Sequence, residues 1–122
     1  MAKVLIIDDD AGIREMLEDT LKLAKYEVDT AVDGRKAKEL YDKNDYQVII
    51  TDIIMPGQDG FEVTLELRNR GMIDRVIAIS GGGRTSAEDY LQTAKSFGVA
   101  AIFQKPIDRK ALLAKISEIA SK

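Results

Sequence analysis

The sequence predicts an α/β fold: a doubly wound parallel sheet of five β–α units, (βα)5, in a single domain over residues 1–122. Three observations predict it. Short apolar runs, mostly β-branched, recur from one end of the chain to the other, and such runs suit strands covered on both faces of a parallel sheet. Stretches of helical period separate them. At 122 residues the chain has the usual size of one domain, and no linker, repeat or charge block divides it.

The strand runs are Val4-Leu5-Ile6-Ile7, Val48-Ile49-Ile50-Thr51, Val76-Ile77-Ala78-Ile79 and Ala101-Ile102-Phe103. A fifth, Glu27-Val28-Asp29-Thr30-Ala31, alternates polar with apolar and suits an edge. Ile13, Met16/Leu17, Thr20/Leu21 and Ala24 form one helical stripe, and Leu112/Leu113, Ile116 and Ile119/Ala120 another. Helices are also expected over Arg35 to Lys43, Phe61 to Arg70 and Ser86 to Phe97. Asp10, Asp33, Asp59 and Asp108 stand as N-caps, and Thr85 with Glu88 forms a capping box. Gly71 and Gly98 sit where helices end. In such a sheet the working site lies at the carboxyl ends of the strands, where the strand order reverses.

Composition limits the chemistry that site can do. Cysteine and histidine are both absent. That excludes disulfides, thiolate-bound metals and every Ser-His or Cys-His nucleophile. With 18 basic and 21 acidic residues there is no global attraction to nucleic acid or anionic lipid. No run approaches the roughly 18 apolar residues of a membrane span. The start turns acidic by Asp8, before a signal peptide could develop. A cytoplasmic protein is expected, with carboxylates, lysine, hydroxyls and a hard metal as its chemical means.

The strand ends carry those groups. Asp8-Asp9-Asp10 follows the first run, Asp52 the third, Ser80-Gly81-Gly82-Gly83 the fourth and Lys105-Pro106 the fifth. Clustered carboxylates destabilise one another's charge unless a cation is present. Lys105 supplies one, and Mg²⁺ suits the remaining hard oxygens. A phosphoryl group, bound or covalently attached, fits such a site. The candidate nucleophile is Asp52, on the central strand facing the first-strand pair, with Ser80 and Lys105 against the phosphoryl oxygens.

Each residue has a plainer reading. Asp10 can cap the first helix, which needs only one of the three aspartates. Asp52 and Ser80 can be turn residues, and Lys105 a surface lysine. Their coincidence at the carboxyl ends of successive buried runs favours the site.

These residues resemble the receiver domain of bacterial two-component response regulators over essentially the whole chain. The matching pieces are VLIIDD (Val4 to Asp9), VIITDIIMPGQDG (Val48 to Gly60), VIAISG (Val76 to Gly81) and Gln104-Lys105-Pro106. The resemblance implies the flavodoxin-like strand order 2-1-3-4-5 and Asp52 as phosphoryl acceptor. It implies Asp8 and Asp9 as the acidic pair, with Asp9, Asp52 and the Ile54 backbone carbonyl as Mg²⁺ ligands. Ser80 is the implied switch hydroxyl, Lys105 the phosphoryl-binding lysine, and the Lys105–Pro106 peptide is cis. The implied donor is the phosphohistidine of a sensor histidine kinase or histidine phosphotransfer protein. The output is a changed surface for a downstream protein or a fused effector, with no direct nucleic-acid or membrane contact. The position three before the lysine, usually aromatic in that family, is Ile102; Phe103 should face the other side of the sheet.

The chain is thus expected to be a phospho-accepting switch rather than an enzyme, one that assists its own phosphorylation and dephosphorylation. A metal-dependent phosphatase or phosphotransferase with an aspartyl nucleophile is the alternative, but haloacid-dehalogenase-like enzymes want a second acid where Ile54 stands. A flavin carrier would want aromatics and phosphate-friendly strand ends, and the first strand ends in three aspartates.

Overall fold

Five parallel strands close the alternation into one sheet. The computed structural model describes residues 2–53, 60–80, 95 and 97–121. Strands β1 (Lys3–Ile7), β2 (Glu27–Ala31), β3 (Val48–Asp52), β4 (Val76–Ser80) and β5 (Ala101–Gln104) lie in the order β2-β1-β3-β4-β5. Every neighbouring pair is parallel. The described helices are α1 (Ala11–Leu23), α2 (Gly34–Lys43), α3 (Gly60–Asn69) and α4 (Arg109–Ala120). The helix expected over Ser86 to Phe97, with its Thr85 cap, lies almost wholly outside the described residues, as does the Asp59 cap.

Local sequence accounts for the helix starts. Asp10, Asp33 and Asp108 are extended, and their side chains accept the N–H of Ile13, Lys36 and Ala111. Each cap contributes about 1 kcal/mol. At the first helix the cap is Asp10, so neither Asp8 nor Asp9 is needed to start it.

The sheet buries both faces. Val4, Ile6, Val48, Ile50, Ile77 and Ile79 pack with residues of α1 and α4, including Leu17, Leu21, Leu112 and Ile116. On the other face Leu5, Ile7, Ile49 and Val76 pack with residues of α2 and α3, including Ala37, Tyr41, Val63 and Leu67. Continuous apolar runs were needed because each strand buries successive residues on opposite sides. β5 departs from that expectation. Ala101, Ile102 and Phe103 are only half-buried, because β5 closes the sheet edge. Phe103 packs into the α1/α4 layer, whereas Ile102 lies with Ala78 and Ile53, so the two face opposite sides as the pleat requires.

The chain leaves β1 for β2 on one side and returns to β3 on the other. The order therefore reverses between β1 and β3, and sheets of this kind bind their ligands at the carboxyl ends of the strands at such a reversal.

Candidate functional site

Ile7 and Thr51 are register partners on β1 and β3, so the residues that follow them, Asp8 and Asp52, emerge side by side. Asp8 is fully buried and Asp52 is 4% exposed, whereas Asp9 is exposed. Carboxylate oxygens of Asp8, Asp9 and Asp52 all lie within 4.8 Å of one another. At about 4 Å, two unit charges repel by about 4 kcal/mol in an effective dielectric of about 20. Such a cluster calls for cations.

Lys105 provides one. Its Nζ donates to Asp52 Oδ2 at 3.1 Å and stands 3.0 Å from Asp8 Oδ2. The latter contact is an ion pair without the alignment of a hydrogen bond. β5 delivers the lysine: the Lys105 N–H donates to the Ser80 carbonyl at 2.8 Å, extending the β4–β5 pairing, and the Lys105–Pro106 peptide is cis. With its side chain 17% exposed, Lys105 is not the surface lysine its composition alone would suggest.

The electrostatics remain unbalanced. Burial lifts the Asp8 pKa above the ordinary carboxylate value, with the Asp52 charge adding to it; the Asp10 N–H and Lys105 pull the other way but do not prevail. Burial also works against the Lys105 ammonium, yet its contacts with Asp8 and Asp52 outweigh that and raise its pKa. One ammonium among three carboxylates leaves room for a divalent cation. Hard oxygen donors, with Asp9 open to water, fit Mg²⁺ better than a softer ion.

Ser80 ends β4 one position beyond Ile79, the register partner of Asp52. It is fully buried, and its Oγ has no hydrogen-bond partner among the described residues. A buried hydroxyl left unpaired costs about 1–3 kcal/mol. Ile54 and the Gly81-Gly82-Gly83 segment fall outside the described residues.

The turn carrying the acidic pair is held from several directions. Asp8 N–H donates to Ala31 O at 3.1 Å, and Asp10 N–H donates to Asp8 Oδ1 at 2.9 Å. Arg14 Nη1 donates to the Asp8 carbonyl at 2.8 Å. That last contact is not legible in the sequence, where an arginine in the first turns of an amphipathic helix reads as a solvated charge.

Comparison with known proteins places the chain in a family. The family model of the response regulator receiver domain matches residues 4–117. The chain is 35% identical over 114 residues to the probable transcriptional regulator ycf27 of Galdieria sulphuraria, covering 93% of this chain and 43% of that protein. It is 32% identical over 116 residues to the transcriptional regulatory protein TcrA of Mycobacterium tuberculosis, covering 84% of this chain and 44% of the relative. It therefore spans less than half the length of these relatives. Among solved structures, the chemotaxis response regulator CheY4 of Vibrio cholerae superposes with a TM-score of 0.82 at 36% identity, covering 98% of each chain. The response regulator TrrA of Thermotoga maritima, in complex with Mg²⁺ and BeF, gives 0.84 at 28% identity, covering 98% of this chain and 99% of that one.

Proposed function

Because the chain belongs to the response regulator receiver domain family, a family of phospho-accepting switches in phosphorelay signalling, we propose that Asp52 is its phosphoryl acceptor. The phosphoryl group passes from a phosphohistidine of a sensor histidine kinase or histidine phosphotransfer protein. The N–P bond breaks, its electron pair returns to the imidazole, and an O–P bond forms to the Asp52 carboxylate, giving an acyl phosphate. The observation that carries this reading is the setting of Asp52. It is nearly buried at the end of a central strand, and its carboxylate is gripped by Lys105 at 3.1 Å.

The chain's own residues divide the work. Asp8, Asp9 and Asp52, with the Ile54 carbonyl, would hold a Mg²⁺ ion, which when bound offsets the charge of the phosphoryl oxygens. Lys105 moves its hydrogen bond from the Asp52 carboxylate to a phosphoryl oxygen, where it acts as a point charge. Ser80 Oγ, buried and unpaired among the described residues, gains an acceptor in the phosphoryl group. That gain biases the chain toward an activated arrangement. The signal then leaves through Ser80 and the Gly81–Gly83 segment, not through an aromatic side chain of β5, since Phe103 packs in the opposite layer.

By presenting acceptor, cation site and lysine together, the domain assists its own phosphorylation, and hydrolysis at the same centre returns it to rest. Its output is a protein surface read by a downstream protein or a fused effector; TcrA and ycf27 are named as transcriptional regulators. No helix among the described residues is long and apolar enough to cross a membrane. The aspartyl-nucleophile phosphatase is not favoured, because Ile54 occupies the position of the second acid. The test is labelling by acetyl phosphate with and without Mg²⁺. Mg²⁺-dependent, hydroxylamine-sensitive incorporation is expected, and its absence would remove the proposal.

A further inference from the structure

We infer that Arg14 is a positioning residue for the divalent-cation site: its guanidinium fixes the Asp8–Asp9 peptide and so holds the Asp9 carboxylate against Asp8 and Asp52. The inference rests on the Mg²⁺ reading of the acidic cluster given above.

Asp9 poses the problem that Arg14 answers. Asp8 and Asp52 are buried and meet Lys105, but Asp9 is exposed. Among the described residues, no hydrogen bond or ion pair restrains the Asp9 carboxylate. Even so, one of its oxygens lies within 4.8 Å of those of Asp8 and Asp52. Since no described residue grips the side chain, its direction is set by the backbone that carries it.

On the side entering Asp9, that backbone is held by a side chain of α1. The peptide entering Asp9 bears the Asp8 carbonyl, and Arg14 Nη1 donates to it at 2.8 Å. The neighbouring groups are tied by other means: Asp8 N–H to Ala31 O, Asp10 N–H to Asp8 Oδ1, and Ile13 N–H to Asp10 Oδ1. Arg14 is itself anchored, since its own N–H donates to the Asp10 carbonyl at 3.0 Å in the first turn of α1. The arginine thus links the helix to the end of β1 across the acidic turn. Without it the Asp8–Asp9 peptide can rotate, and Asp9 swings with it.

Charge alone argues the opposite way, and this makes the inference testable. A guanidinium beside a cation site repels the cation, so by Coulomb's law its removal should tighten binding. Positioning predicts weaker binding. Partners that orient metal ligands without touching the metal typically contribute tenfold or more to affinity.

The experiment titrates the full chain with Mn²⁺ as an EPR-visible probe, with Mg²⁺ as competitor. It compares wild type, Arg14→Met, Arg14→Lys and Asp9→Asn, and records metal-free melting curves alongside. The expected result is about tenfold weaker Mn²⁺ binding in Arg14→Met, with most of the loss recovered in Arg14→Lys, which can still donate to the carbonyl. A purely structural role would lower the melting temperature while leaving the affinity of the folded protein intact. Unchanged or tighter binding in Arg14→Met, with binding lost in Asp9→Asn, would overturn the role of Arg14 and leave the metal site standing. Wild-type affinity in Asp9→Asn would overturn the metal-site reading itself. Should Arg14→Met fail to fold, Arg14→Ala carries the same comparison, since it too removes both the charge and the donor and keeps a good helix former.

Discussion

Lys105 Nζ and Asp52 Oδ2 are hydrogen-bonded at 3.1 Å although 53 residues separate them in the chain. The same ammonium lies 3.0 Å from Asp8, so one cation serves two nearly buried carboxylates. Removing one partner of a buried pair strands the other's charge, at a cost of about 3–5 kcal/mol. Lys105→Met should therefore destabilise the metal-free protein by about 3 kcal/mol, with part of the loss regained on adding Mg²⁺. Urea unfolding with chelator and with Mg²⁺ measures both. A variant as stable as wild type in chelator would show that Lys105 does not carry this compensation.

Asp52→Asn should abolish hydroxylamine-sensitive labelling by acetyl phosphate, because an amide is not a nucleophile in this chemistry. Its shape and burial are close to those of the aspartate, so the far-UV spectrum should not change. Retained acyl-phosphate labelling would move the acceptor to another residue.

Asp8 gives a pH dependence of known sign. Burial raises its folded-state pKa above the unfolded value of 3.8, so the folded protein holds that proton more tightly than the unfolded chain. The charged carboxylate therefore costs stability above the folded pKa, and the cost fades as pH falls toward 3.8. In chelator, Asp8→Asn should be more stable than wild type at neutral pH. That advantage should shrink as the pH is lowered through the folded pKa. Denaturant midpoints for both proteins across that range decide it, and a pH-independent difference would contradict the cause.

The end of α1 offers a test away from the site. Tyr26 N–H returns to Leu21 O and Lys25 N–H to Lys22 O, a Schellman ending that places Lys25 at φ 73. The end of α3 repeats it, with Met72 N–H to Leu67 O and Gly71 N–H to Arg68 O. There the left-handed position is held by Gly71 at φ 76. A Cβ in this region is strained, so Lys25→Gly should stabilise the fold by about 0.5–1 kcal/mol, visible as a higher melting temperature. Phosphoryl acceptance should be unaffected.

What the sequence determined by itself is what local pattern encodes. Apolar runs and helical stripes located five strands and the described helices, and Asp10, Asp33 and Asp108 marked helix starts that the structure capped as expected. The candidate site residues were legible for the same reason: in a parallel sheet they follow directly after the strands, so locating a strand end located Asp8, Asp52, Ser80 and Lys105. The tertiary structure decided everything that depends on distances across the sheet. Strand order made β5 an edge and left its apolar run half-buried. Register set Asp8 beside Asp52 and brought Lys105 to both. The packing of α1 on β1 turned Arg14 from a solvated charge into a clamp on the Asp8 carbonyl. A side chain's partners lie tens of residues away along the chain, and periodicity carries no record of which strand its own will pair with.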